Sequence, residues 1–164
     1  MSYDLMVFDQ EAAPSDRSAF LSWFKEQTNW SKEHDYDDPA GASAALKAWF
    51  FDIIELYPAM NGPFRSQDED MDAVKSGDYS IGNAFIYASF TWSEPEKAYA
   101  AVFRLAKKHG LGFYDVSSDK GEVWGKASDC NYVCLHSADA VEAESLQQVR
   151  VFSTAAKQIL KDKT

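Results

Sequence analysis

The sequence predicts an α+β protein: a ferredoxin-like, antiparallel-rich sheet with helices on one face, followed by a C-terminal strand and helix extension. Three observations carry this expectation. Segments rich in aromatic and β-branched residues, several with period-two alternation, are interspersed with segments of three-four apolar spacing. Hydrophobic residues make up 46% and aromatic residues 15% of the 164 positions, enough to bury a full core in one domain. The elements run strand, two helices, two strands, helix, two strands, an order suited to hairpins joined by helical crossovers. Residues 1–125 are expected to form the core domain and residues 126–164 an extension packed on it.

The first strand is SYDLMVF, Ser2 to Phe8, where Tyr3, Leu5 and Val7 alternate with Asp4 and Met6. Glu11 to Pro14 breaks it. Ser15 is placed to cap a helix carrying Phe20, Trp23 and Phe24 on one side, with Asp16 near its positive end, and this helix should fade near Trp30. EHDYDDPAGA, Glu33 to Ala42, holds Pro39 and Gly41 among charges that cannot be buried together, and is expected to be a loop. From Ser43 the residues Leu46, Trp49, Phe50, Ile53, Ile54 and Tyr57 define a helix with a wide apolar stripe, which Pro58 ends.

A long loop follows, with Asn61-Gly62-Pro63 as its sharpest turn; loops of this length inside a domain are usually functional or loosely ordered. YSIG and AFIYASFTW flank Gly82-Asn83 and should pair as a hairpin. Ser93-Glu94-Pro95-Glu96 reads as a capping box with proline in the first turn. The helix it opens carries Tyr99, Val102, Phe103 and Ala106 inward and closes at Gly110 after the basic run Arg104, Lys107, Lys108 and His109. LGFYDVS and EVW flank Ser118-Asp119-Lys120-Gly121 and should form a second hairpin. The extension offers a strand in CNYVCLHS and a helix from about Asp139 to Leu160.

Net charge is −10, and its distribution is uneven. Residues 1–78 hold sixteen Asp and Glu against six Lys and Arg, whereas the remainder holds ten of each. That half of the chain disfavours nucleic acid or an anionic membrane as partner and favours a basic protein or a cation. The N-terminus has no signal-peptide pattern, and no apolar run reaches the ~18 residues that span a bilayer. Two cysteines in a chain with a large core do not resemble a disulfide-stapled secreted scaffold, so a cytoplasmic protein is expected.

The chemistry-bearing patterns are few. Asp68-Glu69-Asp70-Met71-Asp72 begins like a calcium loop, but the sixth position is Ala73 where glycine makes the turn, and the twelfth is Tyr79 where a bidentate glutamate is needed. Cys130, Cys134 and His136 fall on one side of a strand. At about 3.3 Å per residue the two cysteines are then roughly 13 Å apart, too far to share a metal ion or a disulfide. His34, His109 and His136 stand beside no recognisable nucleophile. Gly110-Leu111-Gly112 follows a helix and precedes a strand, the wrong order for a nucleotide cradle. Asp52 and Glu55 occupy the polar side of their helix and need only solvent there. Trp23, Trp49 and Trp92 are expected in the core, with Trp30 and Trp124 less committed to it.

SYDLMVFD, ALKAWFFDIIELYPAMNGP, DYSIG and TWSEPEKAYAAVFRLAKKHGLGFYDVSSDKGEVW resemble a group of small acidic bacterial proteins with no assigned activity, a likeness covering about residues 2–125. In size, acidity and want of enzyme motifs the chain is also similar to immunity proteins that neutralise bacterial toxins. The resemblance implies a non-enzymatic binding protein that covers a basic cleft on its partner. The acids Asp35, Asp37 and Asp38, or Asp68, Glu69, Asp70 and Asp72, would supply the charge, and Trp30 and Tyr36 apolar anchoring. No catalytic residue, cofactor or metal ligand is assigned, and neither nucleic acid nor membrane is expected as partner. Two alternatives remain at this stage: a small divalent-metal-dependent hydrolase or transferase using the same carboxylates, and a housekeeping domain that self-associates through its tail helix.

Overall fold

The computed structural model describes residues 1–30 and 35–138. Its centre is a six-stranded sheet in which every strand pairing is antiparallel: β1 (Ser2–Phe8), β2 (Asp78–Ile81), β3 (Phe85–Thr91), β4 (Gly112–Tyr114), β5 (Val123–Lys126) and β6 (Tyr132–His136), ordered β2-β3-β1-β4-β5-β6. The longest pairing is β1 with β3, from Ser2 opposite Thr91 to Phe8 opposite Phe85. The α+β class expected from the sequence is therefore present. The expected tail helix from about Asp139 lies outside the described residues.

Three helices form where capping and periodicity coincide. In α1 (Arg17–Gln27) the cap is Asp16, whose Oδ2 accepts from the Ala19 amide at 2.9 Å, rather than Ser15. It stops at Gln27, earlier than expected, as Thr28 Oγ1 donates to the Phe24 carbonyl. α2 (Ala44–Leu56) is capped by Ser43, whose Oγ accepts from Leu46 and donates to Asp9. α3 (Pro95–His109) begins on proline and ends at Gly110, where φ is +68°, a conformation that glycine adopts without strain. The capping box does not close: Glu94 sits at the cap with no side-chain bond to a backbone amide of the helix and pairs instead with the Lys97 side chain.

Alternation along the strands sends side chains to two cores. Tyr3, Leu5 and Val7 of β1, with Ile86, Ala88 and Phe90 of β3, pack against Leu46, Trp49, Phe50 and Ile53 of α2 and Val102, Leu105 and Ala106 of α3. Met6 and Phe8, with Phe85 and Tyr114, pack on the opposite side against Phe20 of α1, flanked by Trp23 and Phe24. The expected placement of the helices on one face is corrected for α1 alone: α2 and α3 cover one face, and α1 covers the other. The physical reason lies in β1, where Met6 and Phe8 are as deeply buried as Leu5 and Val7, so both sheet faces need a cover. Gly112 lies opposite Phe8 and leaves room for its ring, since a Cβ at that position would stand 2.3 Å from it.

β6 pairs with β5 and extends the sheet. Tyr132 ties this strand down by donating its hydroxyl to the Leu111 carbonyl at 2.9 Å, its ring edge-on to Phe103. No helix among the described residues is long and apolar enough to cross a membrane.

Candidate partner-binding surface

β2 forms one margin of the sheet, and neighbouring segments engage the outward backbone there at Gly77, Tyr79 and Ile81. Gly77 donates to the Pro58 carbonyl and accepts from Met60. Tyr79 is held by the Asn61 side chain, whose Nδ2 donates to the Tyr79 carbonyl at 2.8 Å and whose Oδ1 accepts its N–H at 3.0 Å. The Ile81 amide donates to the Tyr36 carbonyl at 2.6 Å. An exposed strand edge invites pairing with other chains, and here two loops close it.

Those two loops carry the acidic residues singled out in the sequence. One includes Asp35, Tyr36, Asp37 and Asp38; the other runs from Pro58 to Gly77 and includes Asp68, Glu69, Asp70 and Asp72. They touch at Gly62, where φ is +77° and a Cβ would stand 2.4 Å from the Asp37 carbonyl oxygen. The sheet margin therefore brings both acidic segments to one side of the molecule. Asp35, Asp38, Asp68, Glu69, Asp70 and Asp72 are exposed, while Asp37 and Tyr36 are half-buried.

Three of these acids also shape their loops. Asp38 Oδ1 accepts from Ala40 at 2.8 Å and caps the short 3-10 turn Pro39–Gly41. Asp72 Oδ1 accepts from Val74 at 3.0 Å and caps Ala73–Lys75. Asp68 Oδ1 accepts from Asp70 at 3.0 Å. Asp37, Glu69 and Asp70 cap no turn among the described residues. Trp30, at φ +52°, is 44% exposed and sits edge-on to Tyr36 at 5.1 Å, with Phe85 and Tyr87 beneath. Trp30 and Tyr36, both expected to supply apolar anchoring, thus touch each other as a ring pair.

Sequence reasoning missed two further aromatic residues. Phe51 of α2 and Phe64 of the long loop are both exposed, yet their rings meet edge-on at 5.1 Å, and Phe64 leans on buried Phe50 at 6.0 Å. Phe64 lies in the chain between Gly62, which touches Asp37, and the acids from Asp68 onward. The available signal was Phe51 falling outside the helix's apolar stripe, an aromatic side chain with no core position to fill. Arg65 and Lys75 give the same margin some positive charge.

Several expectations are corrected nearby. Asp52 does not face solvent alone: its Oδ2 accepts from Lys108 Nζ and meets His109 Nε2, both at 2.7 Å, tying α2 to the end of α3. These bonds hold its carboxyl below the usual range. His109 is thus more than a helix-terminal cation. Trp92 is not in the core but 45% exposed, its indole N–H donated to the Ser2 carbonyl at 2.8 Å. Cys130 occupies the turn before β6 at φ +65°, Cys134 lies on the strand, and both are exposed thiols. His34 lies outside the described residues. Among those described, no three His, Cys, Asp or Glu side chains come together in a way that would hold a metal ion. Comparison with protein-family models, with curated proteins and with solved structures finds no match.

Proposed function

We propose that the protein is a non-enzymatic binding protein, most concretely an immunity protein that lays its β2 margin against a basic cleft of a toxin domain. The observation that carries this reading is the convergence of two acidic loops, distant in sequence, on one sheet margin, one of them carrying Phe64 with its ring against the exposed Phe51. Aromatic anchors within a charged surround are the usual anatomy of a protein interface, the charges steering approach and the rings supplying burial. A partner acting on nucleic acid or nucleotides presents the basic surface that such a margin complements. Two exposed free thiols accord with a reducing, cytoplasmic setting.

The test starts with what co-purifies from the native cell. A basic domain found there would be mixed with wild type and with the variant Asp37→Asn, Glu69→Gln, Asp70→Asn in stopped-flow association at several salt concentrations. The variant is expected to associate at least about ten-fold more slowly at low salt and with a flatter salt dependence. Phe64→Ser is expected to speed dissociation and leave association nearly unchanged. Identical association kinetics for wild type and the triple variant would sink the acidic-margin mechanism.

A further inference from the structure

We propose that the cleft between the start of β1, the first turn of α3 and the β4–β5 loop is a guanidinium-binding site, with Asp115 as charge partner and Tyr3, Trp92 and Tyr99 as its aromatic walls. The site is separate from the β2 margin and does not depend on the function proposed for it.

Asp115 is the starting point. It is only 9% exposed, and its Oδ1 has no hydrogen-bond partner among the described residues, although the residue lines an open cleft of about 380 Å³. A buried carboxylate oxygen without a donor is costly, and structures seldom keep one without a reason. Burial and the nearby Glu122 push the Asp115 carboxyl above its ordinary range, opposed by a hydrogen bond from the Ser118 backbone. A cation placed in the cleft would reverse that balance.

The surroundings select the kind of cation. Glu96 also lines the cleft, and no Lys or Arg does. The nearby Lys97 is held by Glu94 at 2.5 Å. Glu96 stands in the first turn of α3, where its charge offsets the positive end of the helix that would otherwise repel a cation. Tyr3 and Trp92 meet edge-on at 5.1 Å, and the bond from the Trp92 indole to Ser2 fixes that ring at the lip of the cleft. The Tyr99 hydroxyl is pushed up to about 12 by burial, then by Glu122 and Asp115, and Tyr3 is raised by burial, Asp115, Tyr99 and Glu96. Both shifts register the negative field of Asp115, Glu122 and Glu96 in the cleft, which an added positive charge would offset.

A metal ion is a poor fit, because hard cations favour several converging carboxylates and no three His, Cys, Asp or Glu side chains converge here among the described residues. A quaternary ammonium could sit against the rings but has no N–H for Asp115 Oδ1. A guanidinium does both: it donates in a planar fork and stacks on aromatic rings. The same chemistry is offered by an arginine side chain of a protein partner and by free arginine.

Two-dimensional 15N–1H NMR tests this on the whole protein, following the Trp92 indole and the amides of Asp115, Ser117 and Ser118. The probes are L-arginine, the blocked tripeptide acetyl-Gly-Arg-Gly-amide, L-lysine and tetramethylammonium. Saturable shifts at these signals are expected from an arginine probe, with affinity at least ten-fold above lysine and tetramethylammonium and reduced at least ten-fold in Asp115→Asn. Tighter binding of the tripeptide assigns the site to a protein partner, and tighter binding of arginine to a small molecule. If Asp115→Asn disturbs the whole spectrum, Trp92→Ala at an exposed position takes its place, read at the Asp115 amide. Absence of saturation with both arginine probes, undiminished affinity in the variant, or equal binding of tetramethylammonium would overturn the assignment.

Discussion

Asn61 grips Tyr79 by both backbone groups, its side-chain amide donating to the carbonyl and accepting from the N–H as a neighbouring strand would. One side chain thus substitutes for a length of β-strand at the margin of the sheet. Asn61→Leu removes both bonds and leaves two buried or half-buried backbone groups of Tyr79 without partners. The expected loss is about 1–3 kcal/mol in urea unfolding. Asn61→Asp keeps the acceptor and forfeits the donor, so its loss should fall below that of Asn61→Leu. Light scattering under the same conditions should rise for Asn61→Leu, since a reopened edge can pair with other copies.

Asp52 binds Lys108 and His109 through one oxygen, and its depressed carboxyl sets the sign of a pH effect. A carboxylate whose folded-state value lies below its ordinary 3.8 stabilises the fold above that value and loses the contribution as pH falls through the folded one. Asp52→Asn should therefore be less stable than wild type at neutral pH and converge with it in strong acid. The carboxylate side chain is 36% exposed, so solvent screening limits the difference at pH 7 to about 1 kcal/mol or less. Paired thermal melts from pH 7 to pH 2 would measure it, and a gap that widened in acid would contradict the assignment.

His136 supplies a second pH effect, in a different window. Its Nδ1 lies 3.3 Å from Arg17 Nη1, its ring 5.2 Å from Phe20, and burial followed by the Arg17 charge holds its pKa below the ordinary 6.5. The unfolded chain then takes up a proton near pH 6.5 while the folded chain does not. Stability is full above 6.5 and declines as pH falls from there toward the folded-state value. Urea midpoints between pH 8 and pH 5 should show this decline, and His136→Gln should remove that step from the profile. An unaltered profile in the variant would place the titration elsewhere.

How far the sequence discloses this structure depends on the range of the interaction. β1 and α3 were legible almost to the residue, because alternation, a proline in the first turn and Gly110 at the end are local signals. The side on which α1 packs was not. A stripe of Phe20, Trp23 and Phe24 says that a helix buries one face, but says nothing about which side of a sheet receives it. Met6 and Phe8 held the missing clue, as apolar residues interleaved with an apolar set already assigned inward. The acidic loops were legible as charge but not as neighbours, since their meeting at Gly62 and along β2 is fixed by pairing across the chain. Asp115 stands in the expected strand LGFYDVS with no signal of its own for a cleft. Tyr3, Trp92 and Tyr99, which line the cleft with it, come from three other parts of the chain, and no spacing rule connects them.

With α1 on one face and α2 and α3 on the other, the sheet resembles a coin whose two sides are already occupied. Beside the outer surfaces of the helices, the rim remains for meeting other molecules. Both the β2 margin and the guanidinium cleft at the Tyr3–Trp92 end lie on that circumference, at different points along it. A rim can serve two visitors at once without either displacing a helix, so occupancy of one place need not reshape the other.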